Sequence, residues 1–206
     1  GGNYNVVLGD EAGTAITTGD NNVIVGYQAG DALDAGGNNV AIGFRALSAE
    51  DGHGTNIAIG SDALKVQNAG TNAYNIAIGH DAGKAVSTGV KNTLIGGSAG
   101  DSLTTNGLNV AVGYGALSTE DTGSRNVAIG VSALSSQNSD TTNYNVAVGY
   151  NSGAAITTGI NNTLIGGLAG DSLTDADYNT AVGFGALGAD VLGSRSVAIG
   201  FNALTT

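Results

Sequence analysis

The sequence predicts an all-β fold, a parallel β-solenoid of twelve rungs of 17–19 residues, and three observations predict it. The first is a repeat. The motif Asn-Val-Ala-Ile-Gly recurs with small changes, starting at Asn5, Asn22, Asn39, Asn56, Asn75, Asn92, Asn109, Asn126, Asn145, Asn162, Asn179 and Ser196. The spacings run 17, 17, 17, 19, then 17, 17, 17, 19, then 17, 17, 17, so the rungs group into 70-residue units of four. The second is a marker of that longer unit. Four residues after the motif Gly the chain reads Gly13, Gly30, Leu47, Leu64, then Gly83, Gly100, Leu117, Leu134, then Gly153, Gly170, Leu187, Leu204. The third is composition: 36 of 206 residues are Gly, 41% are hydrophobic and 11% charged, with no Pro, Cys, Met or Trp. Disorder would need fewer apolar residues and more charge. Collagen would need Gly at every third position together with Pro. An ordered array with Gly at tight corners fits. Residues 1–206 are therefore read as a single solenoid domain of three four-rung units, the last truncated.

Each rung is numbered from its motif Asn as position 1. The motif itself is the strand, because Val and Ile favour the β conformation and five residues suit a strand better than a helix. The Gly at position 5, from Gly9 to Gly200, marks a corner. Two variable residues follow, then Ala in eleven rungs (Ser152 in the other), then the Gly/Leu position, where a second short strand or a turn is expected. A polar stretch such as Thr17-Thr18-Gly19-Asp20 closes the rung with turn chemistry. The two extra residues of the longer rungs fall there, around Gly70-Thr71-Asn72 and Asp140-Thr141-Thr142. Stacking puts the motif Asn residues in one column, expected to bond amide to amide as in cross-β ladders.

Strand side chains alternate between two faces. Positions 2 and 4, such as Val40 and Ile42, are read as the interior of the roll. Position 3 then points outward: Val7, Ile24, Ala41, Ala58, Ala77, Leu94, Ala111, Ala128, Ala147, Leu164, Ala181 and Ala198. No polar residue occurs there, and a strand apolar on both faces is covered on both. The expected cover is another subunit, so these twelve residues are the candidate interface. The last rung is as regular as the others, where solenoids carry polar caps, so the chain reads as a segment of a longer fibre.

Asn39-Val40-Ala41-Ile42-Gly43 and Ser196-Val197-Ala198-Ile199-Gly200 resemble the repeat of YadA-like heads in trimeric autotransporter adhesins. The longer form, Asn39 to Leu47, is similar to repeats of bacteriophage and bacterial fibre proteins. The resemblance implies a left-handed β-roll in each chain, a homotrimer around a common axis, extracellular display on a cell surface or virion, and adhesion to a glycan or protein receptor. The rungs here are longer than those of the adhesin heads, so larger loops are expected.

The remaining signals are weighed against packing roles. Tyr27, Phe44, Tyr114, Tyr150, Phe184 and Phe201 directly follow the motif Gly. They are candidate ligand contacts or seam residues between subunits, with packing preferred because aromatics dominate interfaces. Tyr4, Tyr74 and Tyr144 precede the motif Asn and read as loop residues. Asp31, Asp101 and Asp171, and the pairs Glu50-Asp51 and Glu120-Asp121, read as solvated turn residues, with Arg125 and Arg195 as possible partners. His53 and His80 have no second His or Cys at a metal-ligand spacing, so neither a metal site nor a cofactor is expected. No nucleophile elbow or phosphate loop stands out, and the chain reads as a non-enzyme. A net charge of −11 with six Lys and Arg argues against nucleic acid, and no apolar run is long enough to span a membrane as a helix. The leading expectation is a structural and adhesive fibre module. The alternatives are an ice- or surface-binding solenoid, whose Thr pairs recur only once per four rungs, and a fibre-associated glycan hydrolase.

Overall fold

A computed structural model describes residues 2–205. Twelve parallel strands form one sheet whose order follows the chain, so every rung lies on the one before it. Each motif pairs with its own repeat: Val23 with Val40, Ile24 with Ala41, Val25 with Ile42. The two-residue insertions leave this register untouched, since Ile57 still pairs with Ile76. The strands are shorter than the motif, three residues each from Val6–Leu8 to Val197–Ile199. No second named strand forms among the described residues. The rest of each rung is a succession of turns whose backbone groups bond the adjacent rungs, for example Gln28 N–H to Asp10 O at 3.1 Å and Gly30 N–H to Ala46 O at 2.9 Å. Left-handed residues produce these turns. Gln28 and Arg45 at position 7 have φ near 50°, as do Gly30 and Leu47 at position 9.

The strands face the opposite way from the sequence expectation. The position-3 residues Ile24, Ala41, Ala58, Ala77, Leu94, Ala111, Ala128, Ala147, Leu164, Ala181 and Ala198 are buried in the core of their own chain. Only Val7, in the first rung, is exposed at this position. None of the buried ones is free to meet a second subunit. Positions 2 and 4 carry the partly exposed outer face instead. Volume is the reason. A narrow roll has room for Ala where it has none for a column of Val and Ile, and close-packed interiors do not tolerate the excess.

The core is completed by an exchange within the 70-residue unit. Where position 9 is Gly, position 12 is aliphatic: Ile16, Leu33, Val86, Leu103, Ile156 and Leu173. Where position 9 is Leu, position 12 is Glu50, Gln67, Glu120, Gln137 or Asp190. A Cβ on Gly100 would lie 2.7 Å from Leu103 Cδ1, and one on Gly170 2.8 Å from Leu173 Cδ1. One core space is thus filled from either end of the same turn. Leu47 holds φ 52° in doing so. The left-handed conformation costs about 1–2 kcal/mol, against about 1.5–3 kcal/mol from burying the side chain.

The motif Asn column is also internal, and its bonding differs from an amide ladder. Asn22 Oδ1 accepts the backbone N–H of Asn39 at 2.9 Å, and Asn22 Nδ2 donates to Gly36 O of its own rung at 2.9 Å. The pattern repeats at Asn109, whose Oδ1 accepts Asn126 N–H at 3.0 Å while Nδ2 donates to Gly123 O at 3.0 Å. Where both bonds form, the side chain ties its strand to the closing turn of its rung and to the next rung above. Asn56 and Asn126 make only the bond to the next rung, through Oδ1 to Asn75 N–H and Asn145 N–H, and their Nδ2 atoms are unpartnered. The corner after the strand needs Gly for a second reason besides its φ of 129–140°. A Cβ on Gly26 would come within 2.6 Å of Gly43 O in the next rung.

Candidate functional site

Positions 2 and 4 of the twelve strands form a continuous outer sheet face. Its two columns are Val, Ile and Leu except for Thr93, Thr163 and Thr180, and no rung places an ionisable residue at either position. All seventeen acids of the chain lie elsewhere in the rungs. The middle strands are half-buried along their own neighbours. Ile129 and Ile165 are among the more exposed residues of the face.

The six aromatics expected as ligand or seam residues border this face at position 6. Tyr27, Phe44, Tyr114, Tyr150, Phe184 and Phe201 are all exposed, from 42% to 76%. Those on adjacent rungs stack: Tyr27 on Phe44 with centroids 5.8 Å apart, Phe184 on Phe201 at 5.7 Å. Tyr114 and Phe184 lean over Gly97 and Gly167, where a Cβ would lie 3.2 Å and 3.3 Å from their rings. The other border is the residue before the motif Asn, where Tyr4, Tyr74, Tyr144 and Tyr178 are exposed. Arg125 and Arg195, read from sequence as possible partners of the acids, form no ion pair among the described residues. Their guanidinium groups sit 5.7 Å from the Tyr144 ring and 5.4 Å from the Tyr178 ring. The arrangement is an apolar strip with aromatic rims, suited to contact with another apolar surface.

The acids also depart from the expectation of solvated turns. Glu50 and Glu120 are fully buried at position 12. Glu120 Oε1 accepts Gly123 N–H at 2.6 Å and Ser139 N–H at 3.3 Å, and Oε2 accepts Asn143 Nδ2 at 2.8 Å. Burial pushes the carboxyl of Glu120 above the ordinary range, partly offset by these donors. Burial likewise raises Asp31, Asp101 and Asp171, which are half-buried. Glu50 accepts His53 N–H at 3.2 Å through Oε1, while its Oε2 has no partner. Here the structure assembles Glu50, Asp51 and His53 into one cluster. A search for paired His or Cys spacings misses it. The readable signal was the break in the repeat, His53 standing where the other units have Gly123 and Gly193.

Among the described residues no helix is long and apolar enough to cross a membrane. No family model, no curated protein and no solved structure matches the chain.

Proposed function

We propose that the chain is a structural and adhesive module of a trimeric extracellular fibre, a left-handed solenoid in each subunit, with the outer sheet face as the seam between subunits. The charge distribution supports this reading most. Each chain carries a net charge of −11, so copies repel one another, yet one face running through all twelve rungs has no ionisable residue in its two columns. Strands about 4.8 Å apart and three residues long, at about 3.3 Å each, make that face on the order of 500 Å². That is the upper end of what a soluble monomer leaves uncovered, and the aromatic rims extend it. The count of three rests on the resemblance of the motif to trimeric adhesin heads. The polar turns remain outward in this arrangement and are the surface offered to a glycan or protein receptor on a host or neighbouring cell.

The chain has no Cys, so single thiols report position cleanly. Val110→Cys is expected to cross-link chains on oxidation, and Ala111→Cys to stay unreactive in the folded protein. Equal cross-linking at both, or none at Val110→Cys and at the equivalent Val127→Cys and Val146→Cys, contradicts the seam. A glycan array and binding to intact cells then test adhesion. The same evenly spaced face also suits an ice- or surface-binding role, and absence of thermal hysteresis would remove that reading.

A further inference from the structure

Glu50 and Glu120 occupy the same position in successive 70-residue units, but their surroundings differ at two points. In the second unit Gly123 leaves room for the Glu120 carboxyl and Asn143, since a Cβ on Gly123 would collide with Glu120 and lie 2.6 Å from Asn143 Nδ2. In the first unit the equivalents are His53 and Ala73. The amide that satisfies Glu120 is therefore missing beside Glu50, and an imidazole stands in the space instead. The result is two unpartnered buried atoms, one on each of two residues whose ligand atoms lie within 4.8 Å of one another. Glu50 is wholly buried and its Oε2 has no hydrogen-bond partner, nor has His53 Nδ1. His53 Nδ1 lies 3.8 Å from Glu50 Oε1, too far for a hydrogen bond. Asp51 adds a solvent-facing carboxylate, and one ligand atom from each of the three lies within 4.8 Å of the others.

We propose that Glu50, Asp51 and His53 form a binding site for a divalent transition-metal ion of the Zn²⁺ class, one per chain. The donor set is one imidazole nitrogen and two carboxylates, which suits Zn²⁺ and its neighbours; Ca²⁺ and Mg²⁺ prefer oxygen alone. Ligands about 2.0–2.2 Å from a tetrahedral zinc lie about 3.4 Å apart. The cluster reaches that spacing by closing each separation by about an ångström or somewhat more, which the exposed Asp51 side chain permits. Water completes the fourth position. The ion would satisfy the orphaned oxygen and clamp the closing turn of the third rung, the task performed by Asn143 in the second unit.

The test is titration of the full chain with Zn²⁺ by calorimetry, with Ca²⁺ and Mg²⁺ as comparators, alongside imidazole ¹⁵N spectra. Wild type is expected to bind one Zn²⁺ per chain, to shift the His53 signals and not those of His80, and to melt at a higher temperature with the metal. His53→Gly is expected to weaken binding at least tenfold. The double variant His53→Gly/Ala73→Asn rebuilds the arrangement of the second unit and is expected to fold and not bind. No heat and no His53 shift in wild type overturns the proposal. So does Zn²⁺ binding that survives His53→Gly, or Ca²⁺ binding as tight as that of Zn²⁺.

Discussion

The Cδ1 methyl of Leu33 lies 2.8 Å from where a Cβ on Gly30 would stand. The Leu at position 12 thus forbids a side chain at position 9 of the same rung, and the rungs with Leu at position 9 carry a polar residue at position 12. Gly30→Leu is expected to destabilise the solenoid by about 1–3 kcal/mol through overpacking. Leu33→Gln added to it recreates the pairing of Leu64 and Gln67 and is expected to recover part of that loss. Denaturant unfolding of the two singles and the double should give a favourable coupling of at least about 1 kcal/mol. Additive losses would show that the two positions do not share one space.

Removing a motif Asn breaks two links at once. Asn109→Ala leaves the Asn126 N–H and the Gly123 carbonyl without their partner. With about 1–3 kcal/mol for each of the two buried groups left unpaired, a loss of about 2–6 kcal/mol is expected in chemical denaturation. Hydrogen exchange at Asn126 should rise above that of strand amides farther along the roll.

Burial raises Glu120, so its folded-state pKa lies above the unfolded value. The stability it contributes is then fully present below the ordinary Glu range and is lost as pH rises through the raised value. Asp31, Asp101 and Asp171 have the same sign. The melting temperature should therefore fall from mildly acidic to neutral pH. Glu120→Gln should flatten that dependence, because a rotated Asn143 amide presents its now unpartnered Oδ1 to the new Gln. A melting temperature that climbs steadily to pH 7 in the wild type would contradict the assignment.

Charge placed on the two strand faces should separate folding from assembly. Ala111→Lys puts an ammonium into the core and is expected to prevent folding. Val110→Lys, on the outer face, is expected to keep the circular dichroism spectrum while dissociating the oligomer. Loss of structure in both variants would count against a solvent-side or partner-side location for Val110.

The period, the corner glycines and the parallel stacking of motif on motif were legible because each leaves a strictly spaced residue in the sequence. Sequence alone does not decide between a second strand and a turn at the Gly/Leu position, and the structure has a turn there. The choice of inner face was not, because Val40, Ala41 and Ile42 are all apolar and alternation says only that two faces exist. A clue was present nonetheless. Asn39 and Ala41 share strand parity, and an Asn column that closes hydrogen bonds between rungs has to be internal, which draws position 3 inside with it. The exchange between positions 9 and 12 was equally readable, but it emerges only when Gly30 and Leu33 are compared with Leu64 and Gln67. The buried carboxylates were not legible, since Glu50-Asp51 looks like any acidic turn until Leu47 occupies the core space and turns position 12 toward the backbone.

Sedimentation equilibrium of the intact chain at micromolar concentration tests most directly whether the Val and Ile columns are sealed by sister subunits. A single species of about 60 kDa, three times the 20.0 kDa chain, is the predicted result. A monodisperse 20.0 kDa particle that persists as concentration is raised would contradict it.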